Sequence, residues 1–487
     1  MKNKRILGDT CMYKIRKAKT INHPILGDFS IDFTKDDGSC FDTIIFAGEN
    51  GTGKTTILEF LTLISSLTYD GTNQSLVETE SIEIEVEVDN NIYVLKSVSS
   101  DVKRTMCAWH SLDGIRLQDG IQKNDNRRLN TILSDVEINF NYAAIKHATT
   151  ETIDETQGIA GVIRPSRVLS NEIAQLFVDI AQLDNNDIAD WIKEHPGAIP
   201  SLSQVDIRMS RFKRAFDYMF SGNLNYKKIA DAASSVSLEK RKEIIFAKKV
   251  NGIEVEVFLN KLSSGEKQIV FRSAFLLRRK EALLGCIVLI DEPEISMHPK
   301  WQEKLLGFTQ NLFRNDTHVQ TSQIFLATHS DHILKSALES DNTLIVKLFS
   351  NSSPERIYRG QTGAHLPVTT LGEVKWRIFD VPTVDYHIEL FGELHDRLKN
   401  LPQANVGDKM ISVDSWMKAN GAPEANQLDG TPLPSVSNPK YTPETTLPVY
   451  IRNYIHHPEH ANGRSRDCLE QLESSILYLI SKLNSLP

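Results

Sequence analysis

Residues 48–56 read GENGTGKTT, three glycines spaced by polar residues and followed by a lysine and two threonines. Gly48, Gly51 and Gly53 permit backbone angles that other residues resist, so successive N–H groups can turn inward around an anion. A helix starting at the end of such a loop adds its free N–H groups to the same site. Lys54 is then placed to reach β- and γ-phosphates, and the Thr55 hydroxyl to ligate Mg²⁺. The flanks agree. Residues 43–47, TIIFA, form the short apolar run expected of a buried parallel strand. Ile57, Leu58, Phe60, Leu61 and Ile64 fit a helix packed on that strand's sheet. Strand, loop and helix together predict a phosphate-binding loop in an α/β fold, with a nucleotide and Mg²⁺ as its ligands.

Three further segments supply what the loop lacks. CIVLIDEPEISMHP (residues 286–299) carries a continuous apolar strand ending in Asp291 and Glu292. A carboxylate at the end of a strand beside the loop suits the Mg²⁺ shell, a role for Asp291. Glu292 lies one residue on, where a base for the attacking water is needed. Upstream, NKLSSGEKQIVFRSAFLL begins at Asn260. Ser264, Gly265 and Glu266 open an amphipathic helix carrying Ile269, Val270, Ser273, Phe275 and Leu276, a second N-terminal anion site. Downstream, QIFLATHSDHIL (residues 323–334) is a third apolar strand ending at Thr328-His329-Ser330, which offers the His329 imidazole to the γ-phosphate.

The order GENGTGKTT, LSSGEKQ, LIDEPEISMHPKWQ, ATHSDHI resembles the ATP-binding-cassette head class. That class includes the chromosome-maintenance and double-strand-break-repair ATPases and OLD-like proteins. In it two heads sandwich two ATP molecules, and the signature serine of one contacts the γ-phosphate held by the other. The resemblance implies a P-loop head with a mixed sheet and an antiparallel β-subdomain. By the same resemblance Gly48, Asn50, Gly51, Gly53, Lys54, Thr55 and Thr56 bind nucleotide, and Thr55 and Asp291 hold the metal. It further implies that Glu292 and His329 are catalytic, and that Ser263, Ser264, Gly265 and Glu266 act in trans within a homodimer or higher homo-oligomer. The class also has a glutamine loop, for which Gln157 in TIDETQG is a candidate. A coiled-coil hook like that of the repair ATPases is missing. A narrower resemblance, carried by SRFKRAFDYMF, LSSGEKQIVFRSAFLL, DEPEISMHPKWQEKL and YIRNYIHHPEH, is to the ATPase subunit of Septu-type bacterial antiphage systems, also found with some retrons. It implies an HNH nuclease partner regulated by the ATPase.

Around the motifs, SIEIEVEVDNNIYVLK (residues 81–96) alternates Ile82, Ile84, Val86 and Val88 with Glu83, Glu85 and Glu87, then turns at Asp89-Asn90-Asn91. It reads as a hairpin with one wet face. IIFAKKVNGIEVEVF, from Ile244, is a second hairpin turning at Asn251-Gly252. Residues 165–240 read as helical, with Ile173, Leu176, Phe177 and Ile180 in one stripe and Met209, Phe212, Phe216, Met219 and Phe220 in another. Arg208, Arg211, Lys213 and Arg214 there make a basic face, either solvated or in contact with nucleic acid. From about residue 400 prolines, glycines and asparagines indicate a loop-rich segment ordered by a partner, followed by a helix carrying Leu469, Leu472, Ile476 and Ile480. The expected domains are an N-terminal head lobe (1–164), a helical insertion (165–242), a C-terminal head lobe (243–370) and a loop-rich and helical partner-docking region (371–487).

Near the end, YIRNYIHHPEHANGR gathers Arg452, Asn453, His456, His457, Glu459 and His460. Arg452-Asn453-x-x-x-His457 fits the pattern of HEPN ribonucleases, which would make the chain an ATP-regulated ribonuclease. His456, His457 and His460 would otherwise form a metal site, or the cluster is an ordering or docking element. Pro458 interrupts the helix that the ribonuclease geometry needs. A third alternative is a DNA-repair-type clamp. The net charge of −8 over 487 residues excludes a global basic field, leaving only local nucleic-acid contacts. No apolar run is long enough to span a membrane, and the basic N-terminus lacks an apolar signal core. Five scattered cysteines without a CxxC pair fit the cytoplasm.

Overall fold

The computed structural model describes residues 13–66, 81–98, 106–117, 129, 131–134, 162–163, 170–200, 207–233, 240–278, 285–349, 353–359, 365–427, 430–434, 445–456 and 465–486. The chain divides into two compact units, Met1–Arg359 and Gly360–Pro487. The first unit holds strands β1 (Tyr13–His23), β2 (Gly27–Asp32), β3 (Thr43–Ala47), β4 (Ser81–Val88), β5 (Asn91–Val98), β6 (Met106–Ser111), β7 (Thr131–Ser134) and β8 (Val162–Ile163). It continues with β9 (Leu224–Ala233), β10 (Lys240–Val250), β11 (Ile253–Phe258), β12 (Ile287–Asp291), β13 (Gln323–Ala327), β14 (Thr343–Lys347) and β15 (Glu355–Tyr358). Its helices are α1 (Lys54–Leu61), α2 (Leu63–Ser66), α3 (Ser170–Glu194), α4 (Arg208–Phe220), α5 (Ser264–Leu276), α6 (Pro299–Leu312) and α7 (Asp331–Leu338). The second unit holds α8 (Leu371–Phe379), α9 (Val384–Lys399), α10 (Met410–Ala419), α11 (Leu447–His456) and α12 (Leu472–Ser485).

The three apolar runs of the motifs all become strands of one seven-stranded sheet, ordered β15-β14-β3-β13-β12-β7-β8. All but the β14–β15 pairing are parallel. Every residue of β3, β12, β13 and β14 is buried, as expected of strands covered on both faces. Register then decides where the motifs meet. Phe46 pairs with Ala327 and Ala327 with Asp291, so the chain leaves β3, β13 and β12 side by side. Gly48, Thr328 and Glu292 thus share one edge of the sheet. The fold is an α/β P-loop head with a mixed sheet and an antiparallel β-subdomain.

A five-stranded antiparallel sheet, ordered β2-β1-β4-β5-β6, shares its core with the main sheet and α1. Phe33 packs edge-on to both Phe46 and Phe325, at 6.3 and 5.2 Å between ring centroids. The Glu83/85/87 row of β4 meets basic residues of β1, Lys17 opposite Glu85 and Lys19 opposite Glu83, and Arg16 donates to Glu87 at 2.6 Å. The β4–β5 turn places Asp89 and Asn90 at φ 48° and 65°, and the β10–β11 turn places Asn251 and Gly252 at 53° and 81°. Both central residues are left-handed in each, the condition for a two-residue hairpin that follows strand twist.

Three expectations are corrected. Residues 224–233 are strand, not helix: β9 pairs antiparallel with β10 in a three-stranded sheet, and Tyr226 packs on Phe212 and Phe246. The lysines and alanines of LNYKKIADAA favour a helix weakly, and cross-strand pairing with β10 overrides them. The basic face of α4 is largely internal. Arg208 and Arg211 are each 1% exposed; Arg208 donates to the Arg278 carbonyl and Arg211 to Thr321 Oγ1. Arg214 donates to the carbonyls of Asn311, Arg314 and Asn315, at and just beyond the end of α6. Finally, α5 is not amphipathic; it is buried all round from Gln268 to Leu276.

The second unit has its own core, built around Tyr386, Leu390, Leu394, Val413, Met417, Tyr450, Ile476 and Leu479. Within the segment expected to be loop-rich, Met410–Ala419 forms α10, whose Val413 and Met417 are fully buried, while the described residues between α10 and α11 hold no helix or ladder strand. Asp414 ties α10 to the start of α11. Its two carboxylate oxygens accept the backbone N–H and hydroxyl of both Thr445 and Thr446, at 2.6–3.0 Å, just ahead of α11. Asp414→Ala removes four charge-assisted bonds from a site only 8% exposed. The expected cost is ~2–4 kcal/mol, read as an earlier urea transition of this unit; an unshifted transition would contradict the role. Among the described residues no helix is long and apolar enough to cross a membrane.

Candidate nucleotide site

The phosphate loop spans the gap between β3 and α1. Gly48 has φ 151°, and a Cβ there would lie 2.6 Å from the Leu348 carbonyl oxygen. Gly53 precedes α1 at φ 88°, where a Cβ would meet Leu26 at 2.6 Å. Backbone angle disfavours a side chain at both positions, and at Gly48 the contact with a backbone carbonyl excludes one outright. Lys54 starts the helix and is buried, and its ammonium donates to the carbonyls of Gly48 at 3.0 Å and Glu49 at 2.8 Å. The cation is thereby folded over the loop. Burial pulls its pKa below the ordinary value, while Glu292, Asp291 and Glu294 oppose the shift. Three carboxylates more than 230 residues away in sequence therefore lie near enough to support the charge of this lysine.

Thr55 Oγ1 donates to Asp291 Oδ2 at 2.7 Å. Asp291 is 2% exposed and its Oδ1 has no partner among the described residues. Burial raises the pKa of this carboxyl, against the Thr55 bond that lowers it. A buried carboxylate oxygen left without a donor, beside a hydroxyl already in place, is a donor set that a hard divalent cation satisfies. The residues therefore fit Mg²⁺, which Thr55 and Asp291 would hold.

Glu292 and His329 leave adjacent strands, and Glu292 Oε1 stands 3.6 Å from His329 Nε2. Burial, and then Lys54, keep the imidazole below its ordinary pKa, so it is neutral at pH 7. Glu294, not singled out above, binds the two strand ends together. Its Oε1 accepts from the Thr328 hydroxyl at 2.6 Å and from the His329 backbone N–H at 2.8 Å. Burial raises its pKa, with those two bonds opposing. Ser330 then caps α7 and donates to Gln302 on α6 at 2.6 Å. A glutamate three residues beyond Asp291 was a visible sequence signal, but its partners are 34 and 35 residues away and needed the sheet order.

Ser263–Glu266 lie elsewhere. Ser263 caps α5 in a capping box: its hydroxyl accepts from Glu266 N–H, and Glu266 Oε2 accepts from Ser263 N–H at 2.8 Å. Lys248 of β10 donates to Glu266 Oε1 at 2.7 Å. Although burial pushes the Glu266 carboxyl up, these bonds bring it below its usual range. Gly265 is buried, with 3.0 Å between a Cβ there and both Ser296 O and Trp301. Ser263 and Ser264 are exposed, and among the described residues none of the four bonds to the phosphate loop. Asn50 is exposed and Thr56 half-buried.

Gln157, His457, Glu459 and His460 lie outside the described residues. Arg452 and Asn453 sit on α11, with Arg452 Nη1 donating to Asn453 Oδ1 at 2.8 Å and Asn453 8% exposed. Among the described residues no group of three histidine, cysteine or acidic side chains is arranged to hold a metal.

Residues 123–335 match the family model described as "AAA domain, putative AbiEii toxin, Type IV TA system". Over that span, somewhat under half of its length, the chain is similar to AAA-type ATPase domains. The matched span includes Ser263–Glu266, Asp291, Glu292 and His329, while the phosphate loop precedes it. A 107-residue stretch is 33% identical to the "Retron Vc95 probable ATPase" of Vibrio cholerae serotype O1 biovar El Tor, covering 20% of this chain and 19% of that protein. The chain thus matches about a fifth of that relative's length. Among solved structures, the SMC head domain from Thermotoga maritima is similar at a TM-score of 0.36 and 12% identity, over 71% of this chain and 99% of that one. An Smc head with an extended coiled coil from Pyrococcus furiosus gives a TM-score of 0.37 and 14% identity, over 71% and 97%.

Proposed function

We propose that the chain binds and hydrolyses MgATP as an ABC-type ATPase, that two copies close around two nucleotides, and that this closure regulates an associated HNH nuclease in bacterial antiphage defence. The observation that carries the ATPase reading is the bond from Thr55 of the phosphate loop to Asp291 across 236 residues of sequence. It brings the two halves of a phosphate and metal site together. Lys54 and the loop N–H groups hold the β- and γ-phosphates; Thr55 and Asp291 hold Mg²⁺. Mg²⁺ bound there neutralises charge on the phosphate oxygens. Glu292 orients the attacking water and takes its proton, and neutral His329 can donate a hydrogen bond toward the γ-phosphate or to Glu292.

The dimer reading is supported by the exposure of Ser263 and Ser264 at the start of a 13-residue helix, neither of them bonded to the described phosphate loop of its own chain. A helix N-terminus with free N–H groups suits the γ-phosphate held by a second copy. The defence setting is supported by the stretch shared with a retron ATPase. The nuclease partner rests on the Septu-type resemblance, with residues 371–487 as its docking region.

Ser264→Glu separates the two halves of this reading. An acid in the first turn is favourable to the helix, yet it sets a negative charge against an incoming γ-phosphate. Phosphate release with MgATP is expected to fall more than about tenfold, with ATP binding by a single chain unchanged. Hydrolysis at the wild-type rate would remove the trans contact; no hydrolysis by the wild-type chain under any nuclease-bound or free condition would remove the ATPase reading itself.

A further inference from the structure

The Asp291–Glu292 peptide is held from both sides. On one side, the Glu292 N–H donates to the Ala327 carbonyl at 2.9 Å, extending the β12–β13 ladder. On the other, Arg272 Nη1 donates to the Asp291 carbonyl at 3.3 Å and to Ser134 Oγ at 3.1 Å. Arg272 is 3% exposed in the middle of α5, so its guanidinium has no alternative in water. Ser134 closes β7, the strand on the other side of β12. Through this one nitrogen the arginine ties the helix to the ends of two strands and restrains where the Asp291 carbonyl points.

That orientation matters because Glu292 is in the left-handed region, at φ 38°. A non-glycine residue stays there only where its surroundings over-determine it. The peptide plane before Glu292 is what sets this φ, and with it the direction in which the carboxylate leaves the sheet, 3.6 Å from His329. With the carbonyl released, the plane can turn, Glu292 can relax to negative φ, and its carboxylate swings away.

We propose that Arg272 is a positioning residue that orients the Glu292 carboxylate for hydrolysis by pinning the Asp291–Glu292 peptide. This rests on the ATPase reading above for its rate consequence, not for its structural one. The test pairs the two. Arg272→Met in the full chain is expected to bind a fluorescent ATP analogue within about threefold of wild type and to hydrolyse ATP about 100-fold more slowly, the scale of an ångström-level misplacement. Arg272→Lys keeps a donor for the carbonyl and is expected to recover at least about tenfold of that loss. Ser134→Ala, which loosens the guanidinium without emptying its site, is expected to slow hydrolysis a few-fold. A crystal structure of Arg272→Met, or of Ser134→Ala should the first variant not fold, is expected to show Glu292 shifted from φ 38° toward negative values. Wild-type hydrolysis by Arg272→Met, or an unmoved Glu292 in the variant's structure, overturns the proposal. Should the wild-type chain not hydrolyse ATP, the ATPase reading falls by itself, and the Glu292 backbone still decides the role of Arg272.

Discussion

Glu292→Gln is expected to slow ATP hydrolysis by roughly 10³-fold, the scale of losing a positioned general base, and to leave ATP bound. Glutamine keeps the size of the side chain and its reach toward His329, so Asp291, Thr55 and Lys54 stay where they are. What disappears is the ability to accept a proton from water. An enzyme that binds but does not turn over accumulates its closed state, so size-exclusion chromatography with MgATP should show a shift from one copy to two. EDTA, by removing the metal from Thr55 and Asp291, should reverse it. An unchanged elution volume would mean that nucleotide does not bring two heads together; an unchanged rate would take Glu292 out of the chemistry.

Lys54→Ala acts one step earlier. The lysine is the only described cation whose ammonium is folded over the phosphate loop by the carbonyls of Gly48 and Glu49. Burial already disfavours its charge, and the carboxylates of Asp291, Glu292 and Glu294 support it. Removing it leaves those three acids facing an incoming triphosphate without compensation. ATP affinity is expected to fall by about 100-fold or more, equivalent to at least about 2.7 kcal/mol, measured by titration with the same fluorescent analogue. Because the loop's N–H groups remain, some binding survives. Unaltered affinity would remove Lys54 from phosphate contact.

The contrast between what was readable and what was not has a physical basis. The strands β3, β12 and β13 are continuous apolar runs because both faces of the sheet are covered, and that pattern needs no long-range knowledge. The turns at Asp89-Asn90 and Asn251-Gly252 announce themselves because few residues tolerate left-handed angles. Which strand ends would lie together was recoverable only from the order of recognised motifs, and the sheet delivers it through the register of Phe46, Ala327 and Asp291. Charged residues whose partners are buried backbone atoms or hydroxyls were misread or missed. Arg208 and Arg211 looked like a wet face at helical spacing, yet their guanidiniums are buried against Arg278 and Thr321. Arg272 and Glu294 carry no periodic signal at all; their meaning lies in carbonyls and N–H groups brought near by the sheet. Residues 224–233 illustrate the same limit in reverse, since a weak helical preference lost to a neighbouring strand.

A cryo-electron microscopy map of the Glu292→Gln chain with MgATP is the most direct measurement. The expected map shows the β- and γ-phosphates at Lys54, the metal on Thr55 and Asp291, and Ser264 of a second copy against the γ-phosphate. Nucleotide bound away from Lys54, or bound there with Ser264 facing solvent and no second copy across the site, would contradict a triphosphate enclosed by two heads.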